Sequence, residues 1–194
     1  MLVEFGPPMD PDRPLVDRTL TGDLRAFEQL VERHRDVVFR VAARIVGRDG
    51  AEDVSQDAFL RAFHRLGRFR GDAPFRSWLL QIAHHAAIDA VNRRGVAVED
   101  GEAGEEAPDP EATRMPAERL ERRERTERLE AKLHRLRPPH RAVLVLRDLE
   151  GLTYEEIAAA TGTPLGTVKG RLHRARAELI DLLRANTYDW ELPR

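Results

Sequence analysis

The stretch TYEEIAAATGTPLGTVKGRLHRARAEL, residues 153–179, decides the fold class of the C-terminal part of the chain. Thr153 and Glu156 have the spacing of a capping box, which predicts the start of a helix. Gly162 ends this short helix, and Thr163, which a proline follows, is predicted to cap a second one. Two short helices joined by a tight turn that contains glycine predict a helix-turn-helix.

The second helix of this pair has an apolar face and an opposite face suited to DNA. The apolar residues recur at the spacing of a packed helical face; they are Leu165, Val168, Leu172, Ala175 and Leu179. On the opposite face, small side chains allow close approach to a major groove and Arg can pair with guanine. The residues predicted to contact DNA are Thr167, Lys169, Gly170, Arg171, His173 and Arg174. The other interpretation is a basic amphipathic helix that only packs.

The segments before this pair are also predicted to be helical. Residues 118–136 interleave Glu and Arg, which is typical of a solvated helix stabilised by side-chain pairs. Pro138 and Pro139 are predicted to break this helix. Residues 140–151 are then predicted to form a short buried helix that ends at a glycine.

The N-terminal half predicts four helices. Either Thr21 or Asp23 can cap the first, whose apolar positions are Leu24, Phe27, Leu30 and Val31. A second apolar run ends at Gly47, and AEDVSQDAFLRAFHRL, residues 51–66, forms the third helix. The fourth has a proline in its first turn and stops at Gly95. At about 100° per residue, the third helix places three polar residues and one leucine together on the side opposite its apolar residues: Asp53, Gln56, Asp57 and Leu60.

The charge is distributed unevenly along the chain. The net charge of −2 alone would argue against a protein that coats nucleic acid. Residues 15–95 nevertheless have a net charge of +3 and residues 117–185 of +4, whereas residues 96–113 contain seven acidic and no basic side chains. The Gly-, Pro- and Glu-rich segment 96–116 cannot bury enough apolar area to order itself and is predicted to be a flexible linker. The alternative is an acidic mimic of nucleic acid.

These patterns together predict an all-α chain of two small helical domains joined by a linker. The domains are residues 15–95 and 117–185, with a disordered N-terminus at 1–14 and a tail at 186–194. There is no cysteine, which excludes disulfides and is compatible with a reducing compartment. No apolar run approaches the length of about 20 residues that spans a bilayer, and no secretory signal is recognised. We therefore expect a soluble cytoplasmic protein without membrane insertion.

The sequence contains no pattern that indicates catalysis. The seven histidines lack the spacing of a ligand cluster, so no metal is predicted. There is neither a phosphate-binding glycine loop nor a nucleophile–base motif, so we expect no cofactor and no enzymatic activity.

The motifs in this order resemble a known family. AEDVSQDAFLRAFHRLGRFRGDAPFRSWLLQIAHH resembles region two, and LRPPHRAVLVLRDLEGLTYEEIAAATGTPLGTVKGRLHRARAEL resembles region four, of the extracytoplasmic-function group of bacterial sigma factors. The resemblance implies a transcription initiation factor that binds core RNA polymerase through the clamp helices of the largest subunit and the flap. It implies that the cluster Asp53, Gln56, Asp57 and Leu60 docks on the clamp helices, and that the DNA-facing residues of the last helix read the minus-thirty-five duplex. An anti-sigma factor is a further implied partner.

The same resemblance implies a site that captures one promoter strand at the minus-ten element. Aromatic rings and arginines are the residue types that hold single strands; the implied residues are Phe69, Arg70, Arg76, Trp78, His85, Asp89, Arg93 and Arg94. Phe75 and Trp78 are at a spacing that favours the core over a stacking surface. The sequence departs from the family at His85, where Asn is common, and at Gly170, where Ser or Arg is common.

Two other classes of function predict different sequence features. A helix-turn-helix regulator outside the polymerase would carry an N-terminal receiver or ligand domain with strands, which residues 15–95 do not predict. A helical interaction protein such as an anti-factor would not need two basic faces.

Overall fold

The computed structural model describes residues 10–97 and 117–185, with the side chains of 94–97 and 117–124 excepted. Within these ranges the secondary structure is entirely helical, which confirms the predicted all-α fold class. The helices are α1 (Arg13–Leu20), α2 (Leu24–Val46), α3 (Ala51–Arg65), α4 (Phe75–Ala97), α5 (Ala117–Arg135), α6 (Pro138–Leu144), α7 (Tyr154–Thr161) and α8 (Leu165–Arg184). Short 3-10 turns precede and follow α3, and a π turn, Val145–Leu149, follows α6.

Helices α2, α3 and α4 pack against one another and form the core of the N-terminal region. Helix α2 begins where the Asp23 carboxylate accepts a hydrogen bond from the Ala26 backbone N–H at 3.3 Å, so Asp23 is the cap of the two that the sequence allowed, Thr21 and Asp23. It ends at Gly47, whose φ of 91° suits glycine. The buried sides of the three helices meet in an apolar core that includes Leu30 and Leu79.

The N-terminal segment differs from the predicted disorder over 1–14, and for its last five residues that prediction is wrong. Asp12 is only 2% exposed, and its Oδ2 lies 2.7 Å from Nε2 of the buried His34. Oδ2 of Asp10 accepts a hydrogen bond at 2.7 Å from the backbone N–H of Phe75, the first residue of α4. These carboxylates order the segment because they satisfy donors that packing removes from water. Residues 1–9 lie outside the described part of the chain.

Helices α6, α7 and α8 form the C-terminal region and include the helix-turn-helix. Both hydrogen bonds of the predicted capping box are present: Thr153 Oγ1 accepts from the Glu156 N–H at 3.1 Å, and a Glu156 carboxylate oxygen accepts from the Thr153 N–H at 2.7 Å. Gly162, with φ of 61°, ends α7 as predicted. The predicted cap at Thr163 is wrong, because its hydroxyl lies 2.6 Å from that of Thr161 and Pro164 occupies the cap position of α8.

Other helix boundaries differ slightly from the prediction. Helix α4 passes the predicted stop at Gly95 by two residues. The prolines separate α5 from α6 as predicted, but α6 already begins at Pro138 because proline is accommodated in a first turn. The predicted linker 96–116, apart from its first two residues in α4, and the predicted tail 186–194 lie outside the described residues.

The apolar face predicted for α8 is buried in its middle. Val168, Leu172 and Ala175 are fully buried, whereas Leu165 and Leu179 are half-buried. Helix α7 packs against α8 and also against α4, so the N-terminal and C-terminal regions are in direct contact. This contact determines which of the predicted site residues are open to solvent.

Candidate functional site

An apolar groove lies open on the surface between α2 and α3. It has a volume of about 530 Å³. Its lining includes the two large apolar side chains that are most exposed among the described residues, Leu24 at 61% and Leu60 at 60%. The rings of Phe27 and Phe63 pack edge to face, with centroids 4.9 Å apart, and also line it. Exposed apolar side chains concentrated in this way mark an interaction surface.

The cluster predicted on α3, Asp53, Gln56, Asp57 and Leu60, borders this groove. Gln56 and Leu60 line it directly, and Asp53 is exposed on the same helix. Asp57 is held by Arg61, whose Nη2 lies 2.8 Å from the Asp57 carboxylate. Arg61 donates hydrogen bonds to Asp89 and to Asp57, and these bonds raise the pKa of its guanidinium, the bond to Asp89 contributing most. Asp57 therefore contributes less free charge to the surface than Asp53 does.

Sequence reasoning missed the part of the groove that comes from α2. The sequence identified Leu24 and Phe27 only as apolar positions of a helix, whereas in the structure both line the groove and Leu24 is mostly exposed. Phe63 was not singled out, although it too is exposed. The apolar spacing of these residues indicates a helix face, but the spacing alone does not distinguish a buried face from one that a partner covers.

The residues predicted for the minus-ten strand occupy the loop before α4 and the length of α4. Arg70 is exposed, whereas Phe69 is 9% exposed and packs on Phe75 and Trp78 with centroid distances of 5.8 and 5.3 Å. Phe75 is buried in the core, in agreement with the expectation for its spacing. The side chain of Arg76 points to the C-terminal region, where its Nη2 lies 2.7 Å from a Glu150 carboxylate oxygen.

Further along α4, the predicted residues return to solvent. His85, Asp89 and Arg93 are exposed, and Asp89 binds Arg61 at 2.6 Å. The side chain of Arg94 lies outside the described residues. His84, next to His85, is buried, and its Nδ1 has no hydrogen-bond partner within the described residues.

The residues predicted for the minus-thirty-five duplex lie on the first turns of α8. Lys169, His173 and Arg174 are exposed. Thr167, Gly170 and Arg171 are half-buried on the same helix. A side chain at Gly170 would meet only the Arg174 guanidinium, at 3.7 Å, so this part of the face is open and shallow. An open cationic helix face of this kind can enter a major groove.

Two cationic side chains lie near the ring of Tyr154, at the start of the helix-turn-helix. The Arg147 guanidinium lies 4.7 Å and the Lys169 ammonium 5.6 Å from its centroid. Both distances are within the range of cation–π attraction. The ring thus ties the π turn, α7 and α8 together.

Neither a metal site nor a membrane-spanning helix is found in the described part of the chain. No group of three or more His, Asp or Glu side chains in that part of the chain could hold a metal ion. None of the helices described is both long and apolar enough to cross a bilayer.

Comparison with known proteins identifies the two regions. The family model for Sigma-70 region 2 matches residues 30–96, and that for Sigma-70 region 4 matches residues 126–179. The RNA polymerase sigma-H factor of Pseudomonas aeruginosa is 36% identical over 178 residues, covering 88% of this chain and 92% of the relative. The extracytoplasmic-function sigma-E factor of Escherichia coli is 36% identical over 185 residues, with coverage of 88% and 92%.

Solved structures give the same result. CnrH in complex with the cytosolic domain of CnrY matches with a TM-score of 0.65 and 32% identity, covering 90% of this chain and 98% of that one. The sigma factor RpoE of Bartonella quintana, in complex with the anti-sigma factor NepR, matches with a TM-score of 0.63 and 25% identity, covering 82% and 98%.

The fold and the matched regions define a promoter-directing sigma factor of bacterial RNA polymerase. The chain belongs to the extracytoplasmic-function sigma factor family. A regulator that acts outside the polymerase is not favoured, since the N-terminal region matches sigma region two and its described part, 10–97, contains helices and no strand.

Proposed function

We propose that residues 15–95 of this sigma factor bind core polymerase and the minus-ten strand, and that residues 117–185 read the minus-thirty-five duplex. Residues 96–116 would link these two parts, and residues 1–14 and 186–194 would flank them as the N-terminus and the tail. The chain would act in the cytoplasm by binding alone, without catalysing a covalent reaction. The open groove between α2 and α3 is the observation that carries the proposal, because it combines exposed apolar area with an acidic border.

The groove fits the clamp helices of the largest polymerase subunit. Leu24, Phe27, Leu60 and Phe63 would supply the apolar contacts. Asp53 would meet basic side chains of the partner at the border, where charge complementarity guides association. The flap of the polymerase would contact the C-terminal region.

Two cationic surfaces would recognise the promoter, one on α8 and one formed by α4 and the loop before it. On α8, Lys169, His173 and Arg174 are exposed and would reach base edges or phosphates. On the minus-ten side, Arg70 and Arg93 are exposed and would follow the strand backbone. Phe69, Arg76, Trp78, His85, Asp89 and Arg94 complete the proposed minus-ten set, and Thr167, Gly170 and Arg171 the minus-thirty-five set.

An anti-sigma factor is the proposed negative partner. The support comes from the solved neighbours, since RpoE is bound to the anti-sigma factor NepR and CnrH to the cytosolic domain of CnrY. The groove between α2 and α3 is an apolar surface that such a protein could cover.

Substitution of the groove border tests the polymerase assignment. We expect Asp53→Ala combined with Gln56→Ala to weaken binding of core polymerase by about 1 kcal/mol or more, about a fivefold loss. Co-purification with core polymerase measures the loss, and the helical circular dichroism signal checks that the fold is kept. Gln29→Ala with Asp36→Ala is the matched control, since both residues are exposed on α2. Equal co-purification of the two double variants would contradict the assignment.

A further inference from the structure

Two aspartates near the N-terminus are bonded to residues much further along the chain. The Asp12 carboxylate is buried, lies 2.7 Å from Nε2 of the buried His34 and also contacts Arg33 Nη1. One carboxylate oxygen of Asp10 accepts a hydrogen bond from the Asp12 backbone N–H at 3.1 Å, and the other accepts from the Phe75 backbone N–H at 2.7 Å. A buried carboxylate is costly unless it is paired, so these bonds hold the segment on the N-terminal region.

Asp10 caps α4 from a distant part of the chain. Phe75 is the first residue of α4, and the N–H groups of a first helical turn have no partner inside the helix. Pro74, immediately before it, has no side-chain oxygen that could cap the helix. Asp10 supplies this oxygen from 65 positions away. Its negative charge is also favourable at the positive end of the helix dipole.

The same segment contacts the loop that precedes α4, residues 69–74. Arg13, the first residue of α1, lies against Gly71, because a Cβ at that glycine would be 2.6 Å from Arg13 Nη1. Gly71 has a φ of 81°, which favours glycine. The segment 10–13 therefore contacts the loop in its middle and fixes the residue that directly follows it.

This loop carries part of the proposed minus-ten site. Arg70 is exposed on it, and the Phe69 ring packs on the rings of Phe75 and Trp78. Phe69, Arg70 and Trp78 also line a cavity of about 270 Å³. A site on a loop is precise only where supporting contacts fix its side chains. The contacts of Asp10 and Arg13 are of this supporting kind.

We propose that Asp10 is a positioning residue for the minus-ten strand. By accepting from the Phe75 N–H it holds the start of α4, and with it the loop that presents Phe69 and Arg70 to the strand. The buried pair of Asp12 and His34 anchors Asp10 in place. This inference rests on the proposed minus-ten assignment. Since a carboxylate repels phosphate, Asp10 acts through the loop and not by contacting the strand.

Fluorescence of Trp78 tests whether Asp10 holds the loop. The chain has two tryptophans, so Trp190→Phe in the full chain leaves Trp78 as the single emitter. In this background we expect Asp10→Ala to increase quenching by acrylamide and to shift the emission to longer wavelength, because Phe69 packs less firmly on the indole. Asp10→Asn keeps one of the two acceptor oxygens and should give an intermediate change.

Glu32→Ala is the matched control for this measurement. Glu32 is an exposed carboxylate on α2, and its removal should leave the emission and the quenching unchanged. Quenching in Asp10→Ala equal to that in Glu32→Ala would overturn the inference.

Binding of single-stranded DNA tests the consequence for the strand. The probe is a short fluorescein-labelled single-stranded DNA pool of random sequence, added to the full chain. We expect Asp10→Ala to bind the pool about fivefold more weakly than the parent, which corresponds to about 1 kcal/mol, the usual effect of a lost cap. Loss of a negative charge would by itself strengthen binding, as Glu32→Ala controls, so weaker binding separates positioning from electrostatics. Binding by Asp10→Ala as tight as by the parent, or tighter, would overturn the role in strand binding.

One further variant separates this inference from the minus-ten assignment. Arg70→Ala changes the loop itself and should also weaken binding of the pool. If Arg70→Ala binds like the parent while Asp10→Ala increases the quenching of Trp78, the minus-ten assignment fails and the role in strand binding fails with it. That result would still support Asp10 as the residue that holds the loop. Circular dichroism and co-purification with core polymerase establish that each variant keeps its fold.

Discussion

At the scale of single residues, His84 shows how burial changes the chemistry of a side chain in this fold. Burial, followed by the nearby charges of His85 and Arg171, lowers the pKa of His84 to about 4, and Asp89 opposes this only in part. The imidazole is therefore neutral at pH 7, and the folded chain resists its protonation. Arg171 belongs to α8, so both regions contribute charges near this residue.

The lowered pKa predicts that acid destabilises the fold through His84. Because its pKa falls from 6.5 to about 4 on folding, the unfolded chain takes up the proton first as the pH drops. The stability is complete above pH 6.5 and declines below it, by about 2 kcal/mol at pH 5 from this group. Urea unfolding at pH 7 and pH 5 measures the decline, which His84→Gln should reduce and His64→Gln, at an exposed position, should not. An equal decline in both variants would contradict this account.

At the scale of helices, local sequence determines most boundaries, whereas distant contacts determine the rest. The caps at Asp23 and Thr153 could be predicted because their partners lie three residues away. Helix α1 was missed because its order depends on Asp10 and Asp12, whose partners lie more than twenty residues further along the chain. The surroundings of the candidate site could not be predicted for the same reason, because no local sequence pattern pairs Glu150 with Arg76 of α4.

Glycine substitutions test the description of the helix-turn-helix. Gly170 lies inside α8 with open space around it, so Gly170→Ala should stabilise the protein by about 1 kcal/mol through helix propensity. Gly162 has φ of 61°, so Gly162→Ala should destabilise by about 1 kcal/mol or more. Thermal unfolding gives both signs in one experiment. A lower stability of the Gly170 variant would show that this part of α8 is not the regular helix described.

At the scale of the whole molecule, the modest net charge of −2 combines two basic regions with an acidic segment between them. The described regions carry three distinct surfaces: the apolar groove between α2 and α3, the loop and helix α4, and the outer face of α8. The first is open, and the C-terminal region contacts the second through α7 and through the ion pair between Arg76 and Glu150. In the proposed function, the three surfaces would serve polymerase binding, strand capture and duplex reading as separate contacts of one chain.

The central claim is that this chain confers promoter selectivity on RNA polymerase, and run-off transcription tests it most directly. Purified core polymerase is combined with the chain and a library of promoter fragments. We predict transcripts from a subset of promoters that share minus-thirty-five and minus-ten sequences, and fewer transcripts when Lys169 and Arg174 are both changed to Ala. Core polymerase that shows no promoter-dependent initiation in the presence of the chain would contradict the account.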